Sequence, residues 1–350
     1  MMSFFIIKIL FLSTLAFIFT MTWTPLLTHY LYKYKMGKKV RANGTTPIFT
    51  KLHKNKSGTP TMGGLLIWVT VLIFSLLFYY LAKFLPFDIL KNLNFLSRSQ
   101  TLLPLGALVA TAIIGLFDDW LDVKGKILGG GGLKVKHRLL IYTLIALVGA
   151  WWFYSPTKLD WSTIHLPFVG NFDIGFWYVP IFIFVIVATA FSVNETDGLD
   201  GLAGGVLLTS FAAYGVIAFA TTKYDLATFC GVIVGSLLAF LWFNINPARF
   251  FMGDTGAMSL GVTLGIIAML TNSVLILPII GFVFVIESTT VILQLLSKKI
   301  RGKKIFLSTP IHHHLEAKGW PEPKVVMRFW VIAGVSAAIG LIVFLLDKTI

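Results

Sequence analysis

The 350-residue chain is 57% hydrophobic and charged at only 13% of its positions, with a mean hydropathy of +0.84. Apolar runs of this length and number exclude a soluble enzyme and a disordered chain alike, because they match a hydrocarbon core about 30 Å thick. The formal net charge of +14 would suit a nucleic-acid binder, but its placement along the chain argues for no nucleic acid.

Ten runs read as membrane helices: 3–28, 62–82, 101–117, 139–154, 176–193, 201–220, 226–243, 255–271, 273–296 and 325–346. The first has no small-residue cleavage site before its polar flank and reads as a retained helix. The fourth falls just short of the roughly 17 residues a span usually needs. Cys230, the single cysteine, lies inside the seventh run, which rules out an intramolecular disulfide framework. The fold class is therefore an all-α integral membrane protein of about ten spans, one polytopic domain over residues 1–350 with no internal repeat.

Ten spans place segments 33–61, 118–138, 194–200, 244–254 and 297–328 on one face, and these hold 22 of the 29 lysines and arginines. The positive-inside rule makes that face cytoplasmic and puts both termini outside. On the opposite face, 155–175 has Pro and Gly punctuation and short alternating runs that suit a small hairpin. The run GGGG at 129–132 reads as a flexible connector.

The unusual polar stretches all fall on the basic face. In NKSGTPTMGG (55–64), Thr59 can cap a helix with Pro60 at its first position, leaving Lys56 and Thr61 close by. The third run ends in FDDW (117–120), so Asp118 and Asp119 stand at the negative end of the helix macrodipole and need a positive partner. In NETDGLDGLAGG (194–205), Asn194, Asp197 and Asp200 share a face if the helix includes them, and are caps and turn residues if it does not. In NINPARFFMGDTG (244–256), Gly253 permits close approach of a ligand and Asp254 is either an N-cap or a ligand. Deeper in the ninth run, ESTT (287–290) carries Glu287 at membrane depth, either a functional carboxylate or a polar break that bends the helix. Three helices start at this face with their positive ends towards it, which favours phosphate oxygens. Five aspartates gathered there call for a cation, and oxygen-only ligation beside phosphate points to Mg²⁺. His312, His313 and His314 have no cysteine nearby. Adjacent residues rarely share one metal, so substrate hydrogen bonding or proton handling fits them better than zinc.

The stretches SGTPTMGG, FDDW, NETDGLDGLAGG, NINPARFFMGDTG and PIHHHLE, in that order and on one face, resemble the phospho-N-acetylmuramoyl-pentapeptide transferase family, from about residue 33 to the C-terminus. The triple histidine separates this branch from related transferases that load N-acetylglucosamine 1-phosphate. The resemblance implies transfer of phospho-MurNAc-pentapeptide from UDP-MurNAc-pentapeptide to undecaprenyl phosphate, giving lipid I and UMP, with Mg²⁺ as cofactor. It implies a multi-pass protein of the bacterial cytoplasmic membrane among membrane lipids, its cleft facing the cytoplasm, with a homodimer left open. By motif, Asp254 is the metal ligand, Asp118 and Asp119 stand at the reacting phosphates, and His312 joins the catalytic set. Lys56 and Thr61 take the phosphate side. Asn194, Asp197, Asp200 and Asn244 form the nucleotide-side wall, with Phe251 stacking on uracil. Gln294, His313 and His314 line the same cleft. Asp122 stands where the family often has a lysine, so it is left as a surface residue with Lys124 or Lys126 supplying the charge. Two other readings are a sister transferase with another sugar and, in a different class, a transporter of an anionic solute. A transporter would place its polar groups near the midplane, where only Glu287 falls here.

Overall fold

The computed structural model describes residues 2–37, 53, 56–125 and 133–349. Lys126 and the run at 129–132 lie outside the described residues. Among these residues, nine helices are long and apolar enough to cross a bilayer, and a bent pair counts as a tenth if its two pieces form one span. In chain order they are α1 (Met2–Lys33), α2 (Leu65–Phe84), short α3 (Asp88–Leu93), α4 (Leu102–Lys124) and α5 (Val135–Tyr154), then α6 (Tyr178–Thr196), α7 (Leu202–Ala220), α8 (Tyr224–Asn244) and α9 (Gly253–Leu270). They are followed by short α10 (Leu277–Ile280), α11 (Phe282–Arg301), short α12 (Ile311–Ala317) and α13 (Glu322–Thr349). Between α5 and α6, β1 (Thr163–Leu166) and β2 (Gly170–Asp173) form the expected hairpin, antiparallel with Ile164 opposite Phe172. His165 ties it to α13 through Asp347 at 2.6 Å.

Helix α9 is the centre of the molecule. Every residue in it is buried, and it packs against α2, α4, α6 and α7. Lipid tails are as apolar as leucine, so helices in a bilayer are held by close contact across small residues and not by the hydrophobic effect. Gly115 of α4 shows how close: a Cβ there would collide with the backbone carbonyl of Asp254. The contact brings the end of α4 against the first turn of α9.

Four boundaries differ from the sequence expectation, each for a physical reason. Helix α4 runs on to Lys124, so Asp118 and Asp119 lie within it; hydropathy stops at the first charge, whereas the helical hydrogen bonds continue because both carboxylates find partners. Helix α2 starts at Leu65, not at Thr59–Pro60. The intervening segment pairs with the loop before α9 instead: Phe251 N donates to Pro60 O, Gly63 N to Phe251 O and Gly64 N to Met252 O. The ninth run bends by 83° between Ile280 and Phe282, while ESTT stays helical inside α11. Helix α5 begins at Val135, which brings Arg138 into its first turn.

Candidate active site

The opposite charge that Asp118 and Asp119 require comes from two places. Arg138 reaches in from the start of α5, its Nη2 lying 2.8 Å from Asp118 Oδ2 and 2.7 Å from Asp254 Oδ2. Its Nη1 donates to Asn194 Oδ1 at 2.9 Å, and Asn194 Nδ2 donates to Asp254 Oδ1 at 2.5 Å. Asp119 instead uses the positive N-terminal end of α9, accepting from Thr255 N at 3.1 Å and from Thr61 Oγ1 at 3.1 Å. Asp254 sits in the first turn of that helix, where the dipole favours a carboxylate. Gly253 precedes it with φ +74, and a Cβ there would lie 2.5 Å from both Asp119 Oδ2 and Thr61 Oγ1. Only glycine lets the three acids converge.

This acid cluster is incompletely satisfied. Asp118 Oδ1 accepts from Leu133 N, but Asp118 Oδ2 and Arg138 Nε are buried and make no hydrogen bond among the described residues. The nearness of Nη2 to Asp118 Oδ2 is ionic and poorly directed. Two carboxylates aimed at one cationic point, with all-oxygen donors, fit a hard divalent ion.

The nucleotide-side residues lie beside it. Asp197 caps the end of α6 and accepts from Gly253 N at 3.1 Å. Asp200 lies in the turn before α7, so the cap-and-turn alternative holds for both. Lys56 Nζ is 2.6 Å from Asp200 Oδ1 and also pairs with Glu322 of α13. Asp200 Oδ2 accepts from Asn246 Nδ2 at 3.0 Å and Ala248 N at 3.1 Å. Asn244 is likewise committed, accepting from Gly201 N at 3.0 Å and donating to Phe250 O at 2.8 Å. Phe251 is half-buried, with Lys56 Nζ 5.9 Å from its ring centroid.

The three histidines part company on short α12. His312 Nδ1 lies 2.8 Å from Glu287 Oε2, both fully buried. His313 Nδ1 and His53 Nε2 both bond to Glu316 Oε2, at 2.7 and 3.1 Å. Burial opposes charge on Glu316, but the bonds from His313 and His53 outweigh it and hold its carboxyl down at about 2. Burial, with His312 beside it, pushes His313 down to about 3. His314 points away from both and accepts from Leu307 N at 3.1 Å. Gln294 of α11 is spent on the loop before α12: its Oε1 accepts from Ile305 N at 2.9 Å and Phe306 N at 3.1 Å.

Comparison with known proteins decides the family. Residues 101–272 match glycosyl transferase family 4, and residues 56–67 carry the phospho-N-acetylmuramoyl-pentapeptide-transferase signature 1. The phospho-N-acetylmuramoyl-pentapeptide-transferase of Chloroflexus aggregans is 38% identical over 345 residues, covering 95% of this chain and 89% of its own. Those of Clostridium novyi and Levilactobacillus brevis are 37% and 38% identical, each covering at least 93% of both chains. The chain belongs to this transferase family. It is a multi-pass protein of the bacterial cytoplasmic membrane.

Several groups in the transferase escaped the sequence reading. Arg138 was counted only as one more basic-face charge, yet it is the cation at Asp118 and Asp254. Lys124 does not serve there; it lies over the Trp120 ring, 5.1 Å from its centroid. Glu316, Glu322 and His53 also went unnoticed, and nothing short of the fold pairs them with their partners. His53, His313 and Glu316 place ligand atoms within 4.8 Å of one another, a spacing a metal could use. Glu316 Oε2, however, already accepts from both rings.

Proposed function

We propose that the transferase passes phospho-MurNAc-pentapeptide from its UDP carrier to undecaprenyl phosphate at the cytoplasmic surface, releasing UMP. The observation that carries this reading is Asp118, with one buried oxygen accepting no hydrogen bond, beside Asp254 at a helix N-terminus and flanked by Lys56, Phe251 and Asn194. Asp254 and Asp118 would hold Mg²⁺, and their all-oxygen donor set and the Asp118 Oδ2 that accepts no hydrogen bond fit that ion. When bound, the ion neutralises charge on the diphosphate.

The chain's own residues do the rest. Arg138 and Lys56 keep the anionic substrates near the acids, and Phe251 offers a face to the base. Asp119, with both oxygens accepting, anchors the first turn of α9 so that Asp254 stays aimed at the diphosphate. Asp118 orients the lipid phosphate or takes its proton. That phosphate, with a second pKa near 6 by analogy with phosphoserine, is already largely ionised at neutral pH. One of its oxygens attacks the sugar-linked phosphorus as the bond to UMP breaks, and no carboxylate need carry the phosphoryl group.

The test is UMP release from UDP-MurNAc-pentapeptide in detergent. Release is expected only with both polyprenyl phosphate and Mg²⁺ present. A single-step transfer also predicts no exchange of labelled UMP into the nucleotide sugar by protein stripped of polyprenyl phosphate. Exchange that is lost in Asp118→Asn would establish an enzyme-bound intermediate and overturn the direct attack.

A further inference from the structure

Glu287 of α11 and His312 of α12 remain outside the reading above. Both are fully enclosed and joined at 2.8 Å, and each keeps one polar atom, Glu287 Oε1 and His312 Nε2, without a hydrogen bond among the described residues. Leaving a buried polar atom unpaired costs on the order of 1–3 kcal/mol, and native proteins seldom tolerate it without a use. A carboxylate only accepts, so the shared proton sits on Nδ1, and Nε2 is the ring atom left over. Its direction is fixed as well. A Cβ on Gly198 would collide with His312 Nε2 and lie 3.3 Å from His313 Nε2, so both rings turn Nε2 towards the peptide that follows Asp197. Glu195, in the last turn of α6, also faces His312 and Glu287. Ser288 Oγ, next to Glu287, donates to Ser192 Oγ at 2.7 Å and fixes α11 against α6.

We propose that Glu287 and His312 form a positioning dyad behind the nucleotide-side turn. Glu287 holds the Nδ1 proton, so that Nε2 is the acceptor that takes the Gly198 N–H, which here donates to Thr196 O at 2.8 Å, when the nucleotide sugar seats on the turn. Being enclosed, neither group touches substrate. They act through the turn, and through Asp197 on Gly253, the residue before Asp254. The same kind of carboxylate sets the tautomer of the histidine in hydrolytic triads, where replacing it by an amide keeps the geometry and loses the function.

The inference rests on the transferase reading, so its test is read in binding, apart from turnover. Calorimetric titration of UDP-MurNAc-pentapeptide, without polyprenyl phosphate, is run on the wild type, Glu287→Gln, His312→Gln, His312→Asn and the Glu287→Gln/His312→Gln double variant. A glutamine amide stands where Nε2 stands and needs no partner to orient it, whereas an asparagine amide stands where Nδ1 stands. Glu287→Gln and His312→Asn are each expected to weaken binding about tenfold, the size of one lost hydrogen bond. His312→Gln should stay within about threefold, and the second substitution should add nothing to it. Additive losses, an unaffected Glu287→Gln, or equal damage from asparagine and glutamine would each overturn the dyad. Thermal unfolding in detergent checks that the variants fold. If Glu287→Gln does not, ¹⁵N spectra of histidine-labelled wild type decide, with His312→Gln assigning the signal. A protonated Nδ1 is expected, and a bare Nδ1 refutes the proposal. Wild-type UMP release, measured separately, tests the transferase reading itself.

Discussion

Two carboxylate clusters lie side by side on the basic face and are built to opposite ends. Around Asp200, every oxygen is occupied by the chain itself: Lys56, Asn246 and Ala248 use both carboxylate oxygens, and Glu322 accepts the Asp200 backbone N–H at 2.7 Å. Around Asp118 and Asp254, one guanidinium is shared between two carboxylates and a buried oxygen stays unbonded. The Asp200 carboxylate has no oxygen left to offer a ligand, so it holds loops together and aims Lys56. On the reading proposed above, the Asp118 oxygen that accepts no hydrogen bond is the capacity kept for the ion. Motif resemblance puts both in one site, and only their hydrogen bonds set them apart.

That contrast is broken most directly at Asp254. Asp254→Asn removes the charge and keeps the shape, so turnover should fall on the order of a thousandfold or more, the kinetic equivalent of several kcal/mol of charge stabilisation. The thermal midpoint in detergent should hardly move. Near-normal UMP release with an unchanged Mg²⁺ requirement would take Asp254 out of the metal site. Asp200→Ala should do the reverse: breaking a buried pair costs about 3–5 kcal/mol, so the midpoint should drop markedly while the folded fraction keeps its turnover number. A stable but inactive Asp200→Ala would move Asp200 from scaffold to substrate ligand.

A smaller effect sharpens the boundary between the clusters. Phe251 lies beside Lys56 and is half-buried; stacking of a base on an aromatic ring is worth roughly 1–3 kcal/mol. Phe251→Ala should therefore weaken uridine-nucleotide binding about tenfold, with Phe251→Trp milder. Unchanged affinity would leave Phe251 as packing.

The smallest expected effect is acid sensitivity at Glu316 and His313. His313 is lowered from 6.5 to about 3 and Glu316 from 4.5 to about 2. Over those windows the unfolded chain binds protons that the folded one does not, so stability is complete above pH 6.5 and declines as pH falls towards 2. Unfolding midpoints measured from pH 7 to pH 4 should fall in the wild type and fall less in His313→Gln. Parallel profiles would show that this cluster does not govern the decline.

The legible part of the site was its inventory. Asp118, Asp119, Asp197 and Asp254 do meet across α4, α6 and α9, because helices that start or end at one membrane face bring their polar ends together. Arg138 was not legible, since an arginine at a helix start on the basic face looks like any topology signal. The fate of the three histidines was also hidden. Adjacent residues on a helix point about 100° apart, so His312, His313 and His314 reach three different partners.

By itself the sequence determined the membrane class, the number of spans, the hairpin and the gathering of acids and bases on one surface. These follow from hydropathy, length and charge bias, all properties of contiguous residues. Tertiary structure alone decided that Pro60 pairs with Phe251 instead of opening a helix, that the ninth span bends at Gly281 and not at Glu287, and that Asp200 is spent where Asp118 is not. Each of those outcomes depends on which groups far apart in the chain satisfy one another's hydrogen bonds. In a bilayer that cannot supply water, satisfaction by distant partners overrides local preference.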